Sequence, residues 1–391
     1  MKIQPGKIPN ALFGSSLGFL EWRSHKWKID RQINLNKEMY KEIIFRRYEK
    51  IAEVRFHDSW IDFGKEFKNY DKDEKRLFRG QSNKGNEYNF EFLEITSSLN
   101  REYPQIDLEN FLQEVRNGIP NFKQYKYFDP FKDQLQVKDL DVLSYLQHYG
   151  ISTPLVDFTF DPLTAMFFAV AGMPYEEAYG TDSRFLSIFE INCEILMNQY
   201  KIKEINNEIT PRLFTDIERL IEMNPLSEFS DYSFAQGIKT GIIPQNKLSR
   251  ELNPNFENQD GAFLLLDIPH RAGEMHEKHY LDKSLKTIKS FEDILQVVAE
   301  NKNPSEKAMT LHLIPYESVF MYGDKNVFHG PDVILLFLTL RKKTGYDLFT
   351  DIQGFKYDYL FSTIKQHSSL DSLLSKTDSP EKRFLKEHGL I

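Results

Sequence analysis

The sequence predicts an α+β fold, and three observations carry that expectation. Short strand-like runs and helix-like apolar rows are interspersed along the chain without a regular β-α alternation. Apolar residues make up 40% and charged residues 28% of 391 residues, a composition that gives a soluble globular chain a real core. The 32 Phe and 19 Tyr add large buriable area per residue, and the length suggests two or so folded units.

Composition also excludes several classes. No stretch approaches the ~20 apolar residues that a spanning helix needs. The longest apolar runs, 165–173 and 333–338, have core length. The first ten residues hold Lys2, Lys7 and two prolines and no apolar segment, so a cytoplasmic location without membrane contact is expected. The single cysteine, Cys193, rules out a disulfide framework and a cysteine-based metal centre, and its apolar setting reads as a buried inert thiol. The net charge of −8 argues against a surface that grips nucleic acid all over. Residues 1–50 differ: eleven Lys/Arg against five acids make them +6, interleaved with Trp22, Trp27, Tyr40 and Tyr48. That pattern fits an arm for nucleic acid or an acidic partner, and equally a solvated helix.

The elements follow in order. Lys37–Arg55 reads as a helix, from Ile43, Ile44, Arg47 and Ile51. Asp58–Tyr70 reads as a short amphipathic helix through Trp60, Ile61, Phe63 and Phe67. Leu77–Gln81 reads as a strand with Leu77, Arg79 and Gln81 on one side, Phe78 and Gly80 on the other. Asp139–Tyr149 reads as a helix with a row of Leu140, Leu143 and Leu146, closed by Gly150. Leu155–Phe160 reads as a strand whose core face is Val156, Phe158 and Phe160, leaving Leu155, Asp157 and Thr159 together on the other. Asp161-Pro162 is a helix start, and Leu163–Ala171 is apolar all round, as in a buried helix. Phe185–Ile191, Gly261–Asp267 and Thr310–Ile314 read as strands, and Asp332–Lys343 as a helix capped by Asp332.

Familiar chemistry is largely absent. Gly14–Gly18 lacks the lysine of a phosphate loop, and there is neither a His-Glu-x-x-His pair nor a Gly-x-Ser-x-Gly elbow. His270, His276 and His279, with Glu274 and Glu277, give too weak a pattern for a metal, so none is expected.

Two stretches carry more information. One is Phe78-Arg79-Gly80-Gln81. The other runs from Leu146-Gln147-His148-Tyr149-Gly150 through Thr153-Pro154-Leu155-Val156-Asp157-Phe158-Thr159 to Asp161-Pro162-Leu163 and Ala165–Ala169. At these residues the chain resembles the FRG domain family. Asn258-Gln259-Asp260-Gly261-Ala262-Phe263 is similar to the family's Gln-x-Gly-x-Phe segment, and Leu348-Phe349 with Asp351–Gly354 to its C-terminal signature. The resemblance implies a basic, partly helical extension (1–51), an FRG domain (52–365) and a C-terminal tail (366–391).

The motif order also resembles, distantly, the ADP-ribosyltransferases. That implies a mixed or antiparallel sheet core with flanking helices, and NAD as substrate. It implies a toxin or antiviral effector acting on a nucleic-acid or protein acceptor, with a neutralising or regulatory partner. Arg79, Gly80, Gln81, Tyr149, Thr153, Asp157 and Thr159 would bind the dinucleotide; Arg79, Thr159, His148, Gln259 and Asp260 would serve catalysis. An arginine can hold a pyrophosphate by charge-assisted bonds, and a carboxylate can stabilise the ribose cation as nicotinamide leaves. The sequence departs from that pattern where a Glu-x-Glu is expected and Glu257-Asn258-Gln259-Asp260 stands. Either Asp260, Glu257 or Asp157 then supplies the charge, or the site does not cleave NAD. Other readings stay open: Arg79 as a structural partner of Asp157, His148–Gly150 as a helix end, Asp157 and Thr159 as an inward polar pair. A metal-independent nuclease using His148 and Arg79, and a non-catalytic sensor of a nucleotide or phage protein, are the alternative functions.

Overall fold

The computed structural model describes residues 41–72, 75–82, 94–102, 143–144, 146–147, 152–171, 185–199, 239–243, 254–267, 290–302, 304–321, 330–341 and 379–391. Seven strands form one mixed sheet: β1 (Ala52–Phe56), β2 (Arg76–Gln81), β3 (Leu155–Thr159), β4 (Phe185–Asn192), β5 (Lys239–Ile243), β6 (Gly261–Asp267) and β7 (Met309–Pro315). Their order is β1-β7-β4-β2-β3-β6-β5, with β1 parallel to β7 and every other neighbour antiparallel. The described residues are thus α+β, as the mixed pattern of elements predicts.

Helices cover both faces. On one face, α1 (41–48), α5 (Cys193–Asn198) and α7 (Phe291–Lys302) bring Ile44, Tyr48, Leu196, Phe291, Ile294 and Val298 onto Leu77, Phe189 and Leu311. On the other, α2 (Trp60–Phe67), α4 (Pro162–Ala171), α8 (Tyr316–Met321), α9 (Gly330–Leu340) and α10 (Pro380–Glu387) pack over Phe78, Ile188 and Ile314. The short helices α3 (Ser98–Glu102) and α6 (Pro254–Asn258) lie at the β3–β6 side. Cys193 is buried.

The buried helix starts where its sequence says it should. Asp161 Oδ1 accepts from the amides of Leu163 (2.8 Å) and Thr164 (3.3 Å), and Pro162 occupies the first turn, where no amide is needed. All of its residues except Phe168 are buried. Gly80 makes this packing possible. A Cβ there would lie 1.7 Å from the Ala165 carbonyl oxygen, so only glycine lets α4 rest on β2.

Three expectations need correction. The helix predicted over Lys37–Arg55 ends at residue 48, and Ala52–Phe56 is an edge strand. Ala52, Val54 and Phe56 alternate with Glu53 and Arg55, and period 2 wins over the continuing helical pattern. The helix predicted from Asp332 already includes Gly330 and stops at Leu340. The strand predicted over Leu155–Phe160 ends at Thr159, and on the face opposite Val156 and Phe158 the residues Leu155 and Thr159 are buried and Asp157 half-buried. Strand β5 and helices α3, α5, α6, α7, α8 and α10 were not expected at all. The described ends of the chain are part of the core. Ile44, Tyr48 and Ile51 are buried on one face, Leu385 and Leu390 on the other. Trp22, Trp27, the histidines at 270, 276 and 279, and the segment 348–354 lie outside the described residues.

Gly80→Ala is expected to destabilise the fold by about 3 kcal/mol or more, because backbone must move to admit the methyl group. Gly64→Ala meets only the tip of the Leu390 side chain, at 2.9 Å, and is expected to cost far less. Thermal unfolding of the two variants checks this; equal shifts would contradict the packing assignment.

Candidate functional site

The sheet is weakest in the middle. β2 pairs with β4 along all six of its residues, and β3 pairs with β6 along all five. Between β2 and β3 there is one ladder pair, Phe78 opposite Thr159. Next to it, Arg79 Nη1 donates to the main-chain carbonyl of Asp157 at 2.7 Å. An arginine side chain thus bonds a strand carbonyl where a ladder would use a backbone amide.

Residues directly opposite one another in an antiparallel pair share a face. Phe78 and Thr159 are therefore on one side, and Arg79 is on the other. The two polar rows read from the sequence, Leu77-Arg79-Gln81 and Leu155-Asp157-Thr159, are each real, yet they look to opposite faces. They meet at the junction because Arg79 reaches the Asp157 backbone.

The Asp157 carboxylate has its own support. Gln147 Nε2 donates to Oδ2 at 2.6 Å, and Gln147 Oε1 accepts from Thr153 Oγ1 at 2.6 Å. The Thr153 hydroxyl also accepts from the Leu155 amide at 3.1 Å. Thr153 is buried, and its place is to orient Gln147 and start β3.

Charge gathers around Arg79. Burial lowers its pKa; Asp157 and Glu292 oppose that, and Arg101 adds to it. Arg101, at the end of α3, is lowered by desolvation, against the pull of Glu102 and Asp157, and donates to the Thr96 carbonyl at 2.8 Å. Two guanidiniums therefore lie near Asp157, and its carboxylate favours the charged form of both. Glu292, in the first turn of α7, is buried, and both its oxygens accept from the Ile95 amide at 2.9 Å. Desolvation nevertheless pushes its carboxyl up to about 7. Tyr48 donates to Oε1 at 3.4 Å, and burial followed by the Glu292 charge drives the phenol well above its usual range.

The remaining expected residues serve the turn before β6. Thr159 Oγ1 donates to the Gln259 carbonyl at 2.6 Å and accepts from the Asp161 amide at 3.0 Å. Asp260 sits at φ 49°, a left-handed position that aspartate tolerates, and its carbonyl accepts from the Phe160 amide at 2.8 Å. Its carboxylate pairs with Lys72. Gln259 is buried. Gly80 faces α4 rather than a cavity. Gln81 offers its carbonyl to Ser187 Oγ at 3.4 Å. His148 and Tyr149 lie outside the described residues.

Arg79, Thr153 and Asp157 thus come together, while Thr159, Gln259 and Asp260 form a separate structural turn. Arg101, Gln147 and Glu292 join the first group without having been expected as site residues. One signal existed for Glu292: Ser290 and Asp293 make reciprocal bonds of 3.3 and 3.2 Å, a capping box that opens a helix and places the intervening acid in its first turn.

Residues 74–177 match the family model of the FRG domain, a stretch that takes in β2, β3 and α4 and hence the whole junction. Comparisons with curated proteins and with solved structures give no match. Among the described residues no helix is long and apolar enough to cross a membrane.

The raised Glu292 pKa makes a prediction. Below pH 4.5, its ordinary value, the folded and unfolded chains both carry the proton. Between there and about 7 only the folded chain keeps it, so stability falls as pH rises and the loss is complete above that value. Glu292→Gln removes this dependence. The variant should gain on the parent by up to about 3 kcal/mol across that window. Denaturant unfolding at several pH values measures the difference; a flat difference would contradict the assignment.

Proposed function

We propose that the chain is an NAD-consuming enzyme of the ADP-ribosyltransferase or NAD-glycohydrolase class, working at the β2/β3 junction. The observation that carries this reading is the one-pair junction between β2 and β3, where Arg79 bonds the Asp157 carbonyl and Arg101 brings a second guanidinium near the same aspartate. Two arginine forks at one place suit a pyrophosphate. The distant resemblance in motif order supports the same substrate.

In this reading Arg79 and Arg101 hold the pyrophosphate. Asp157, oriented by Gln147, takes the role left open by the missing Glu-x-Glu. Asp260 is engaged by Lys72, and Glu257 is exposed on α6. The bond from the ribose anomeric carbon to nicotinamide nitrogen breaks, and nicotinamide departs with the electron pair. The Asp157 carboxylate stabilises the cationic ribose until water or an acceptor adds and loses its proton. Thr159, Gln259 and Asp260 act by fixing the turn that closes β3 against β6. An effector role against nucleic acid or protein follows from the resemblance, and label transfer in cell extract would identify the acceptor.

The test is NAD binding and nicotinamide release by the purified chain. Arg101 is exposed, so Arg101→Ala should leave thermal stability within about 0.5 kcal/mol. It should weaken NAD binding roughly 10- to 100-fold, the worth of one charged hydrogen bond. Arg79→Lys keeps the charge but loses the fork, and should weaken binding similarly. Absent NAD binding by the parent chain, or unchanged binding in both variants, would refute the proposal.

A further inference from the structure

A second polar cluster lies on the opposite face of the sheet from Arg79. It is built from neighbouring strands and one helix. His312, on β7, is fully buried, and its Nε2 lies 2.9 Å from Glu190 Oε2 on β4. Glu190 Oε1 accepts from Arg76 Nη1 on β2 at 2.8 Å. The other ring nitrogen, Nδ1, faces His57 Nε2 at 3.0 Å, just beyond the end of β1. Glu66, in the last turn of α2, completes a set with these two histidines in which one ligand atom from each residue lies within 4.8 Å of the others. Phe63 and Phe67 wall His312 with ring edges, at centroid separations of 5.4 and 5.5 Å.

The chemistry of the set is specific. A carboxylate on His312 Nε2 holds a proton there and leaves Nδ1 as a lone pair. That lone pair faces the second histidine's nitrogen. Ligand atoms about 2.0–2.2 Å from one tetrahedral ion stand roughly 3.3 Å apart, close to the 3.0 Å between the two histidine nitrogens. Two of the three ligands are also braced from outside: His312 by Glu190, itself held by Arg76, and Glu66 by Arg55 Nη1 at 2.9 Å. Carboxylate-backed histidine and hydrogen-bonded carboxylate are the usual outer support of a metal centre.

We propose that His57, His312 and Glu66 form a binding site for a divalent transition ion of the zinc type, with the fourth position left to water. Two imidazoles and one carboxylate are a zinc set with an open coordination position. Oxygen-preferring magnesium and calcium are disfavoured by the two nitrogens. His57 is half-buried and Glu66 exposed, so an ion can reach the site from the α2 side. The proposal does not depend on the NAD reading, since none of its three ligands belongs to the β2/β3 junction.

The experiment uses untagged, chelator-stripped full-length protein titrated with cobalt(II) and with zinc. One equivalent of cobalt should bind with the visible ligand-field bands of tetrahedral coordination, and zinc should displace it. Zinc should raise the thermal midpoint, and magnesium should not. Glu66→Gln and His57→Ala replace groups that are not core and should each weaken cobalt uptake at least tenfold, the lower bound known even for loss of an outer-shell partner. His388→Ala, on the turn after α10, should not change it. No saturable uptake by the parent chain would overturn the proposal, as would uptake unchanged in both Glu66→Gln and His57→Ala.

Discussion

One bond organises the middle of the molecule: the Arg79 guanidinium on the Asp157 carbonyl. A ladder of amide–carbonyl bonds joins β1, β7, β4 and β2 on one side and β3, β6 and β5 on the other. Across the junction the ladder offers one residue pair. Arg79 supplies the next contact with a side chain. A side-chain tether is longer and more adaptable than a ladder, so the two blocks can meet without closing. The Phe78-Arg79-Gly80 tripeptide then divides its labour. Phe78 fills the core under α4, Gly80 admits the α4 backbone, and Arg79 spans the junction.

The same place is where charge concentrates. An uncompensated polar group is costly inside a sheet of this apolar content, and each one here has an identified answer. Asp157 is met by Gln147, Gln147 by Thr153, and Glu292 by the Ile95 amide. Two guanidiniums, Arg79 and Arg101, stand there with Asp157. Two such anion-binding forks at one place are why the junction rather than the turn at Gln259 is proposed as the site.

Much of the fold was legible. Period-2 alternation placed β2, β3, β4, β6 and β7 within a residue or two, and Asp161-Pro162 marked the start of the buried helix. β1 was hidden because Ile51 extends the apolar spacing of the helix before it, and only the alternation of Ala52, Val54 and Phe56 separates them. The site was legible in part. Arg79 and Asp157 stood out by motif, but their facing depended on the register between β2 and β3, which neither strand encodes alone. Arg101 and Glu292 sit far from them in the chain and carry no local pattern that ties them to Arg79. Thr159 looked like a ligand-binding hydroxyl because a single sequence cannot show that its two bonds go to Gln259 and Asp161.

The most direct test of the junction as the working site is hydrogen exchange of the full chain with and without ADP-ribose, which carries the pyrophosphate and ribose but cannot react. Binding at the junction should slow exchange in 76–82, 94–102 and 152–159 and leave the β1–β7 edge unchanged. Protection elsewhere with none in those segments would contradict the account.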